Sequence, residues 1–414
     1  MTDPSVDLVE GDRVELEVGA PAHGGHCVAR LDNRVFFVRH ALPGERVIAE
    51  ITERHRSYLR ADAVEVLEAS PDRVQPPCPY AHPGACGGCD LQHASGDAQL
   101  RWKGAVVREQ LGRLAGLGDF PVRVEALPGG LLGWRSRVRY AVDAAGRAGL
   151  LQHRSHQVVP IDRCLIAHPA IQGLDLLERS WPDDDAVEAV ASAGGDVAVQ
   201  TRPSGGGTLP FDDLLDAPVA TRGPSAGPAE VVEKAVGRRW SLPPESFWQI
   251  HPAAADTLAG AVLDLLAPAP GEVSWDLYGG AGLFAAAVTE RTGARTTLVE
   301  SSPLGCAAAR ANLTDLPTVE VVEARVEPAL HRRRVTGPVD LVVLDPPRAG
   351  AGARVVKAIA AARPRAVAYV ACDPAALARD VATFRAAGWR LAGLRAFDCF
   401  PMTQHVECVA LLEP

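Results

Sequence analysis

The sequence contains no apolar run that approaches the roughly 18 residues required for a membrane-spanning helix. Its first residues, Met-Thr-Asp-Pro-Ser-Val-Asp, are acidic and contain no apolar signal-peptide core. These two absences argue against a membrane protein and against secretion. We therefore expect a cytoplasmic protein whose nine cysteines stay reduced and serve as metal ligands, catalytic groups or packing residues.

At 414 residues the chain is too long for one ordinary hydrophobic core, so we expect two or three domains. The apolar content of 47% and charged content of 22% are typical of a soluble globular protein. A net charge of −9 argues mildly against a nucleic-acid partner. The charge is uneven, however, and local basic patches decide such binding.

Residues 11–68 alternate between apolar and polar positions, with glycine and proline between the alternating runs. This pattern predicts a small antiparallel β-barrel. Residues 30–60 contain seven arginines and four acidic residues, interleaved with Phe36, Phe37 and Tyr58. Basic and aromatic residues on a small barrel favour single-stranded nucleic acid as a partner, although a merely solvated face is an equal alternative.

Three cysteines, Cys78, Cys86 and Cys89, lie within twelve residues and are separated by glycine and proline. Such a segment cannot form a packed helix or strand, and a Cys-x-x-Cys pair allows two thiolates to converge on one metal centre. Cys164, in a polar turn, is the best candidate for a fourth ligand. Four thiolates suit an iron–sulfur cluster slightly better than structural zinc, which remains the alternative.

Between these cysteines and the C-terminal half, the pattern predicts an amphipathic helix over 97–115 that stops at Gly116. Arg135, Arg137 and Arg139 alternate along a predicted strand, so their side chains share one face. A phosphate backbone lying across that face would relieve their repulsion; a solvated face is the alternative. Residues 183–230 are acidic and then rich in glycine and proline, which indicates loops and a domain boundary.

From residue 253 onward helices and strands alternate, which predicts a doubly wound α/β sheet. The turn Asp276-Leu-Tyr-Gly-Gly-Ala-Gly282 follows the first strand and opens a helix. Glu300 ends the second strand, at the position of the acid that binds ribose hydroxyls in such folds. Gly-Gly-Ala-Gly departs from the dinucleotide fingerprint and favours S-adenosylmethionine.

Two further strands of this sheet end in reactive residue types. Asp345 begins an Asp-Pro-Pro-Arg segment, in which two prolines fix a rigid loop at the carboxyl edge of the sheet. Cys372 ends the buried run 366–371 and precedes a helix that begins at Pro374, where the helix N-terminus favours a thiolate. We expect Asp345 and Cys372 to face one crevice.

Glu407 lies among apolar residues on the last predicted strand, 405–412. Burying a carboxylate costs free energy unless it is paired or has a catalytic role. Burial also raises its pKa, which makes it a stronger proton acceptor. We therefore expect Glu407 to be a general base, with a salt bridge on an edge strand as the alternative.

Together these motifs resemble the RNA uracil-5-methyltransferase family, in particular the branch with a TRAM domain and a Fe–S cluster that methylates 23S rRNA. The resemblance implies a TRAM/OB-like barrel at 1–70 and a central α+β Fe–S and RNA-binding domain at 71–240. A Rossmann-like class I methyltransferase domain would follow at 241–414, with helix 97–115 packed on it. It implies a [4Fe–4S] cluster on Cys78, Cys86, Cys89 and Cys164, S-adenosylmethionine on Gln249, Tyr278, Glu300 and Asp345, Cys372 as nucleophile and Glu407 as base.

The expected partner is RNA, with rRNA favoured and tRNA possible, and we expect a monomer. Two departures from the family are a longer first cysteine spacing and Leu283 where relatives often have Asn. A non-catalytic Fe–S RNA-binding factor would not need both Cys372 and Glu407. A radical S-adenosylmethionine enzyme would need Cys-x3-Cys-x2-Cys, which is absent, and an adenine N-methyltransferase would have an aromatic residue at Arg348.

Overall fold

A computed structural model describes residues 8–204 and 224–414. The N-terminal five strands form a closed barrel in the order β1-β2-β3-β5-β4, and β4 pairs with β1 to complete it. Alternation places Val14, Leu16 and Val18 of β1 inside. The strands are β1 (Arg13–Ala22), β2 (His26–Leu31), β3 (Arg34–Arg39), β4 (Arg46–Arg54) and β5 (Leu59–Glu68).

We predicted an antiparallel barrel, but β3 and β5 pair in parallel, with Phe37 opposite Arg60. The cause is the chain path: β4 crosses to β1, and β5 returns antiparallel to β4 into the remaining gap beside β3. One parallel pair is the geometric consequence of closing five strands in this order.

The middle of the chain contains a second, six-stranded sheet in the order β12-β11-β10-β7-β8-β9, beside a hairpin formed by β13 and β14. Its elements are β7 (Arg137–Val142), β8 (Ala148–Leu151), β9 (Val158–Pro160), α2 (Pro169–Gln172), β10 (Asp184–Ala191), β11 (Val197–Pro203), β12 (Pro224–Ala226), β13 (Val231–Ala235) and β14 (Arg238–Leu242).

The prediction of loops over 183–230 is therefore wrong for β10 and β11. Strand β10 buries Ala186, Val187, Ala189, Val190 and Ala191, an apolar set that the surrounding acidic residues obscure in the sequence. The glycine-rich stretch that begins at residue 205 lies outside the described residues.

The C-terminal part is an eight-stranded sheet in the order β17-β16-β15-β18-β19-β21-β20-β6. Strands β15 to β19 run parallel, and β21 is antiparallel to both β19 and β20. The elements are α3 (Ala254–Leu266), β15 (Ser274–Leu277), α4 (Leu283–Thr292), β16 (Thr296–Glu300), α5 (Pro303–Asn312), β17 (Val319–Glu323), α6 (Val326–His331), β18 (Leu341–Leu344), α7 (Gly352–Ala362), β19 (Ala366–Ala371), α8 (Pro374–Ala386), β20 (Arg390–Asp398) and β21 (Glu407–Glu413).

An earlier segment of the chain also joins this sheet. Helix α1 (Gly96–Ala115) begins at the capping residue Ser95, ends at Gly116 (φ 65°) and packs on α8. Strand β6 (Val124–Ala126) then adds to the edge beside β20. In the described part of the chain, no helix is long and apolar enough to cross a membrane.

Candidate active site

The carboxyl ends of the parallel strands open onto one cavity of about 1900 Å³. Since β15, β16, β18 and β19 are neighbours in register, the residues at or after their ends come together. The cavity is lined by every predicted cofactor and catalytic residue, namely Gln249, Tyr278, Glu300, Asp345, Cys372 and Glu407. The expectation that Asp345 and Cys372 face one crevice is therefore confirmed.

The glycine-rich turn is packed too closely for side chains at two positions. A Cβ on Gly279 would lie 2.5 Å from Leu298, and Gly282 has φ 97° with Leu313 only 2.6 Å away from an added Cβ. The carboxylate of Glu300 accepts hydrogen bonds from the N–H groups of Gly280 (2.9 Å) and Ser302 (2.6 Å). Glu300 thus holds the turn against the end of β16 while facing the cavity.

Asp276 is a buried carboxylate at the start of the segment that contains this turn, and its role was not predicted from the sequence. It accepts a hydrogen bond of 2.8 Å from Ala285 N in the first turn of α4. Burial raises the pKa of Asp276 to about 7, opposed by the Ala285 bond. Asp276 therefore anchors the helix that follows the cofactor turn.

A second carboxylate that the sequence analysis did not identify anchors the Asp345 loop. Asp380, buried on α8, accepts hydrogen bonds from Ala351 N (2.8 Å), Gly352 N (3.2 Å) and the hydroxyl of Tyr369 (2.7 Å). The other end of the loop is held by Asp345 N, which donates to Leu277 O at 3.2 Å. The loop that carries Asp345 is thus fixed at both ends.

Cys372 is half-buried and lies between β19 and α8, as predicted. The next residue, Asp373, caps α8 by accepting a hydrogen bond from Ala376 N at 2.7 Å. The same carboxylate contacts the barrel residue His23 at 2.8 Å. The barrel thus reaches the peptide segment that carries the cysteine.

Glu407 is 5% exposed and is the first residue of β21. Because β21 lies between β19 and β20, the alternative of a salt bridge on an edge strand is excluded. His405 precedes the strand and also lines the cavity. Burial, together with nearby Arg348, lowers the pKa of His405 to about 3.

The loop before Glu407 is held by residues from the central part of the chain. The ammonium of Lys103, fully buried, contacts Asp398 at 2.5 Å and Phe400 O at 3.0 Å. Asp90 accepts a hydrogen bond from Gln404 N at 3.1 Å. The segment that follows Cys89 therefore supports the segment that leads to Glu407.

The four predicted metal ligands, Cys78, Cys86, Cys89 and Cys164, line one small separate cavity. Gly88 N lies 3.4 Å from Cys86 Sγ and donates a hydrogen bond to it. Burial raises the pKa of Cys86 to about 11. In the residues described, no group of three or more His, Cys, Asp or Glu side chains is arranged to hold a metal ion, so this geometry supports neither the iron–sulfur cluster nor the zinc alternative.

The arginines of β7 do not form an open basic face. Arg137 is half-buried and donates to the carbonyls of Pro244 (2.8 Å) and Ser246 (2.7 Å), and Arg139 pairs with Glu188 on the neighbouring strand. The protein thus supplies partners for both side chains, and their contact with phosphate stays a prediction. Arg135 and Arg139 still line the large cavity.

The aromatic residues of the barrel differ in whether they reach the large cavity. Phe36 is completely buried in the barrel core, whereas Phe37 and Tyr58 line the large cavity with ring centroids 5.2 Å apart. Only the latter pair can contact a nucleic acid.

Over almost its whole length, the chain has a fold similar to that of a methyltransferase of known structure. The structure of Pyrococcus abyssi tRNA (uracil-54, C5)-methyltransferase in complex with S-adenosyl-L-homocysteine matches with a TM-score of 0.71 and 25% identity, over 96% of this chain and 99% of that one. A TRAM domain model matches residues 8–64, and the tRNA (uracil-5-)-methyltransferase family model matches residues 337–414. That second match includes Asp345, Cys372 and Glu407. The fold and site are those of a methyltransferase that uses S-adenosylmethionine.

Two proteins of similar sequence narrow the class of methyltransferase. A protein named as an uncharacterised RNA methyltransferase from Streptomyces avermitilis is 49% identical, covering 98% of this chain and 99% of the relative. A 23S rRNA (uracil(1939)-C(5))-methyltransferase from Alkalilimnicola ehrlichii is 33% identical, covering 96% of each. The chain belongs to the RNA uracil-5-methyltransferase family, as the sequence motifs indicated.

Proposed function

We propose that this enzyme methylates C5 of a specific uridine in 23S rRNA, through a covalent bond between Cys372 and C6 of the base. The observation that carries the proposal is the common cavity of Cys372, Glu407 and the glycine-rich turn. The 33% identical relative that acts on 23S rRNA supports the choice of RNA.

In the proposed reaction the Cys372 thiolate forms a bond to C6, and the electron pair of the C5–C6 double bond becomes enolate-like at C5. S-adenosylmethionine, when bound, supplies the electrophilic methyl group that C5 takes. Glu407 then removes the C5 proton, the double bond re-forms and the Cys372–C6 bond breaks, which releases 5-methyluridine. The uracil must leave its stack to reach Cys372, at a cost of about a few kcal/mol.

Gln249, Tyr278, Glu300 and Asp345 would hold the cofactor. All four line the cavity, and the close-packed glycine turn leaves backbone rather than side chains facing it. Three backbone N–H groups, those of Gly280, Ser301 and Ser302, fix the Glu300 carboxylate, and Oε2, which accepts from Gly280, keeps a lone pair for a ribose hydroxyl. This arrangement fits a nucleoside-containing cofactor.

We further propose a [4Fe–4S] cluster on Cys78, Cys86, Cys89 and Cys164. The cavity that they share supports it, as does the N–H of Gly88 directed at Cys86 Sγ. The cluster would cross-link segment 78–89 to the turn at Cys164.

We propose the same division of labour as the sequence predicted: 1–70 and 71–240 for RNA binding and the cluster, and 241–414 for catalysis. The packing of α1 on α8 means that this helix also supports the catalytic unit.

Methylation of tRNA is the second candidate, because the matching P. abyssi enzyme is named for a tRNA position. Nucleotide-resolution mapping of 5-methyluridine in rRNA and tRNA from a strain lacking this gene tests both. Loss of one 23S rRNA site is expected. Loss confined to tRNA, or no loss in either RNA, would contradict the proposal.

A further inference from the structure

The large cavity extends well beyond the reaction site, into the junction between the barrel and the middle sheet. There it is lined by a group that we call the barrel-side pocket, which consists of His26, Phe37, Tyr58, Arg60, His153 and Arg154. None of these residues has a part in the mechanism above. Their chemistry therefore needs its own explanation.

The rings of this pocket follow one another. The His26 ring lies 6.3 Å from that of His153 and 6.1 Å from that of Phe37, whose ring is 5.2 Å from that of Tyr58. The Arg60 guanidinium lies 5.7 Å from the centre of the Tyr58 ring. Both edges and faces of aromatic rings are thus presented along one wall.

Two buried nitrogens in this wall are unsatisfied. Nε2 of His26 and Nε2 of His153 find no hydrogen-bond partner within residues 8–204 and 224–414. His26 is only 4% exposed, so an unpaired nitrogen there is costly unless a ligand fills the need. These atoms point to a ligand that carries hydrogen-bonding groups.

Burial and nearby Arg39 lower the pKa of His26 to about 3, against a smaller effect of the Gly24 backbone, and burial lowers the pKa of His153 to about 4. Both rings are neutral near pH 7, so they suit hydrogen bonding rather than phosphate binding.

At the rim of the pocket, Arg60 and Arg154 outnumber the one carboxylate that pairs with them, that of Glu53. Glu53 pairs with Arg60 at 3.1 Å and lies 3.8 Å from Arg154, so one carboxylate faces two guanidiniums. A neutral planar ligand with a singly charged backbone fits such a site. Nucleobases of a single RNA strand match this description, since they stack on aromatic rings and offer N–H groups at their edges.

We infer that the barrel-side pocket binds a second, unpaired nucleobase of the substrate RNA, flanking the uridine that is methylated. The base would stack on Phe37, against which Tyr58 packs edge-on while it stacks on His55 (4.4 Å), and would hydrogen-bond to Nε2 of His26, while Arg60 and Arg154 contact its phosphates. This inference rests on the proposed function. Because one continuous cavity contains both the pocket and Cys372, a single strand can occupy both.

The test uses an RNA fragment of about 15 nucleotides centred on the mapped uridine, with each other nucleotide made abasic in turn. For the wild type, one flanking abasic position should raise the KM for RNA by about tenfold without changing kcat, as expected for loss of one stacked base. His26→Phe should show this raised KM with intact RNA and no further rise with that abasic fragment. His26→Gln keeps an acceptor near the Nε2 position and should behave like the wild type.

If the KM depends on the abasic position in the same way for the wild type and for His26→Phe, the pocket does not bind a base and the inference is wrong. Tyr58→Ala removes a half-buried ring at the rim and provides a second variant should His26→Phe fail to fold. Arg13→Ala, an exposed arginine of the barrel that does not line the cavity, is the control and should leave the profile unchanged.

Failure of the proposed function would look different, because the wild type would then methylate no fragment. The pocket is in that case tested by fluorescence anisotropy with a fluorescein-labelled 12-mer of oligouridylate. A Kd raised about tenfold by Tyr58→Ala supports the pocket. A Kd unchanged in both Tyr58→Ala and His26→Phe overturns it.

Discussion

Nε2 of His23, on the barrel, lies 2.8 Å from the carboxylate of Asp373, the residue directly after Cys372. Asp373 simultaneously caps α8 through Ala376 N. One carboxylate thus joins three parts of the molecule: the barrel, the cysteine segment and a helix of the catalytic sheet. Its pKa is lowered by His23 and Ala376 against the opposing effect of burial.

We expect His23→Ala to weaken RNA binding more than it weakens the fold. Partly exposed pairs contribute about 0–1 kcal/mol, which corresponds to a rise in the KM for RNA of up to about fivefold, with kcat nearly unchanged. Asp373→Asn keeps the capping oxygen and should give the same effect without loss of α8. Steady-state kinetics with wild-type values for both variants would show that the contact does not position the barrel.

The roles proposed for Cys372 and Glu407 predict different products. Cys372→Ala cannot activate C5 and should transfer no methyl group, whereas Glu407→Gln should methylate and then stall as a covalent protein–RNA adduct. The measurement is a denaturing gel after incubation with substrate RNA and methyl-labelled cofactor. Cys306→Ala, a buried cysteine outside the cavity, is the control and should release free methylated RNA.

If Glu407→Gln instead releases free methylated RNA at the wild-type rate, another group is the base. His405 is then the first to test. It lines the same cavity and is neutral near pH 7, but its pKa, lowered by burial to about 3, makes it a weak base.

The bonds of Asp380 to the Asp345 loop predict a positioning effect. Asp380→Asn leaves buried N–H groups poorly satisfied at a cost of about 1–3 kcal/mol and should raise the KM for S-adenosylmethionine about tenfold or more. Tyr369→Phe removes one of three donors and should have a smaller effect. Thr383→Ala, on the exposed side of α8, is the matched control. Unchanged cofactor KM in Asp380→Asn would assign the network to stability alone.

The proposed cluster predicts a coloured protein. Anaerobically purified enzyme should be brown and absorb near roughly 400 nm, as thiolate-bound iron does, and Cys86→Ser should lose this absorption. Cys306→Ser should keep it, because Cys306 lies on α5, outside the cluster cavity. Stoichiometric zinc without iron in the wild-type protein would contradict the proposal.

The buried histidines of the barrel predict acid sensitivity. Burial lowers the pKa of His26 to about 3 and that of His40 to about 2, from 6.5. Between those values and 6.5 the unfolded chain binds more protons, so stability falls as the pH decreases from about 6.5. The upper bound is about 1.4 kcal/mol per pH unit for each group.

Urea unfolding at pH 7 and pH 5 measures this slope. His26→Gln should reduce it, and so should His40→Asn, since Asn tolerates the left-handed backbone at position 40 (φ 59°). His156→Gln, an exposed control, should not. A slope unaffected by either buried substitution would mean that other groups cause the acid sensitivity.

Several features of this fold and site follow from the sequence by itself. Helix 97–115 with its Gly116 stop, the alternating strands of the barrel, and Asp345 and Cys372 after buried strands are all encoded locally. Hydrophobic period, capping residues and prolines act over a few neighbours, so they can be read without the fold. The parallel sheet then brings its strand ends together, which makes the shared cavity predictable as well.

Only the tertiary structure decided which distant groups meet. The sequence pattern placed Arg137 and Arg139 on one face. The carboxylate that pairs with Arg139 comes from β10, however, and the carbonyl groups that accept hydrogen bonds from Arg137 come from the segment after β14. The parallel pairing of β3 with β5, the interior position of β21 and the bonds of Asp380 to the Asp345 loop likewise depend on chain closure. A residue's local pattern determines its direction, but long-range pairing determines what it faces, and burial next to that partner fixes its charge and role.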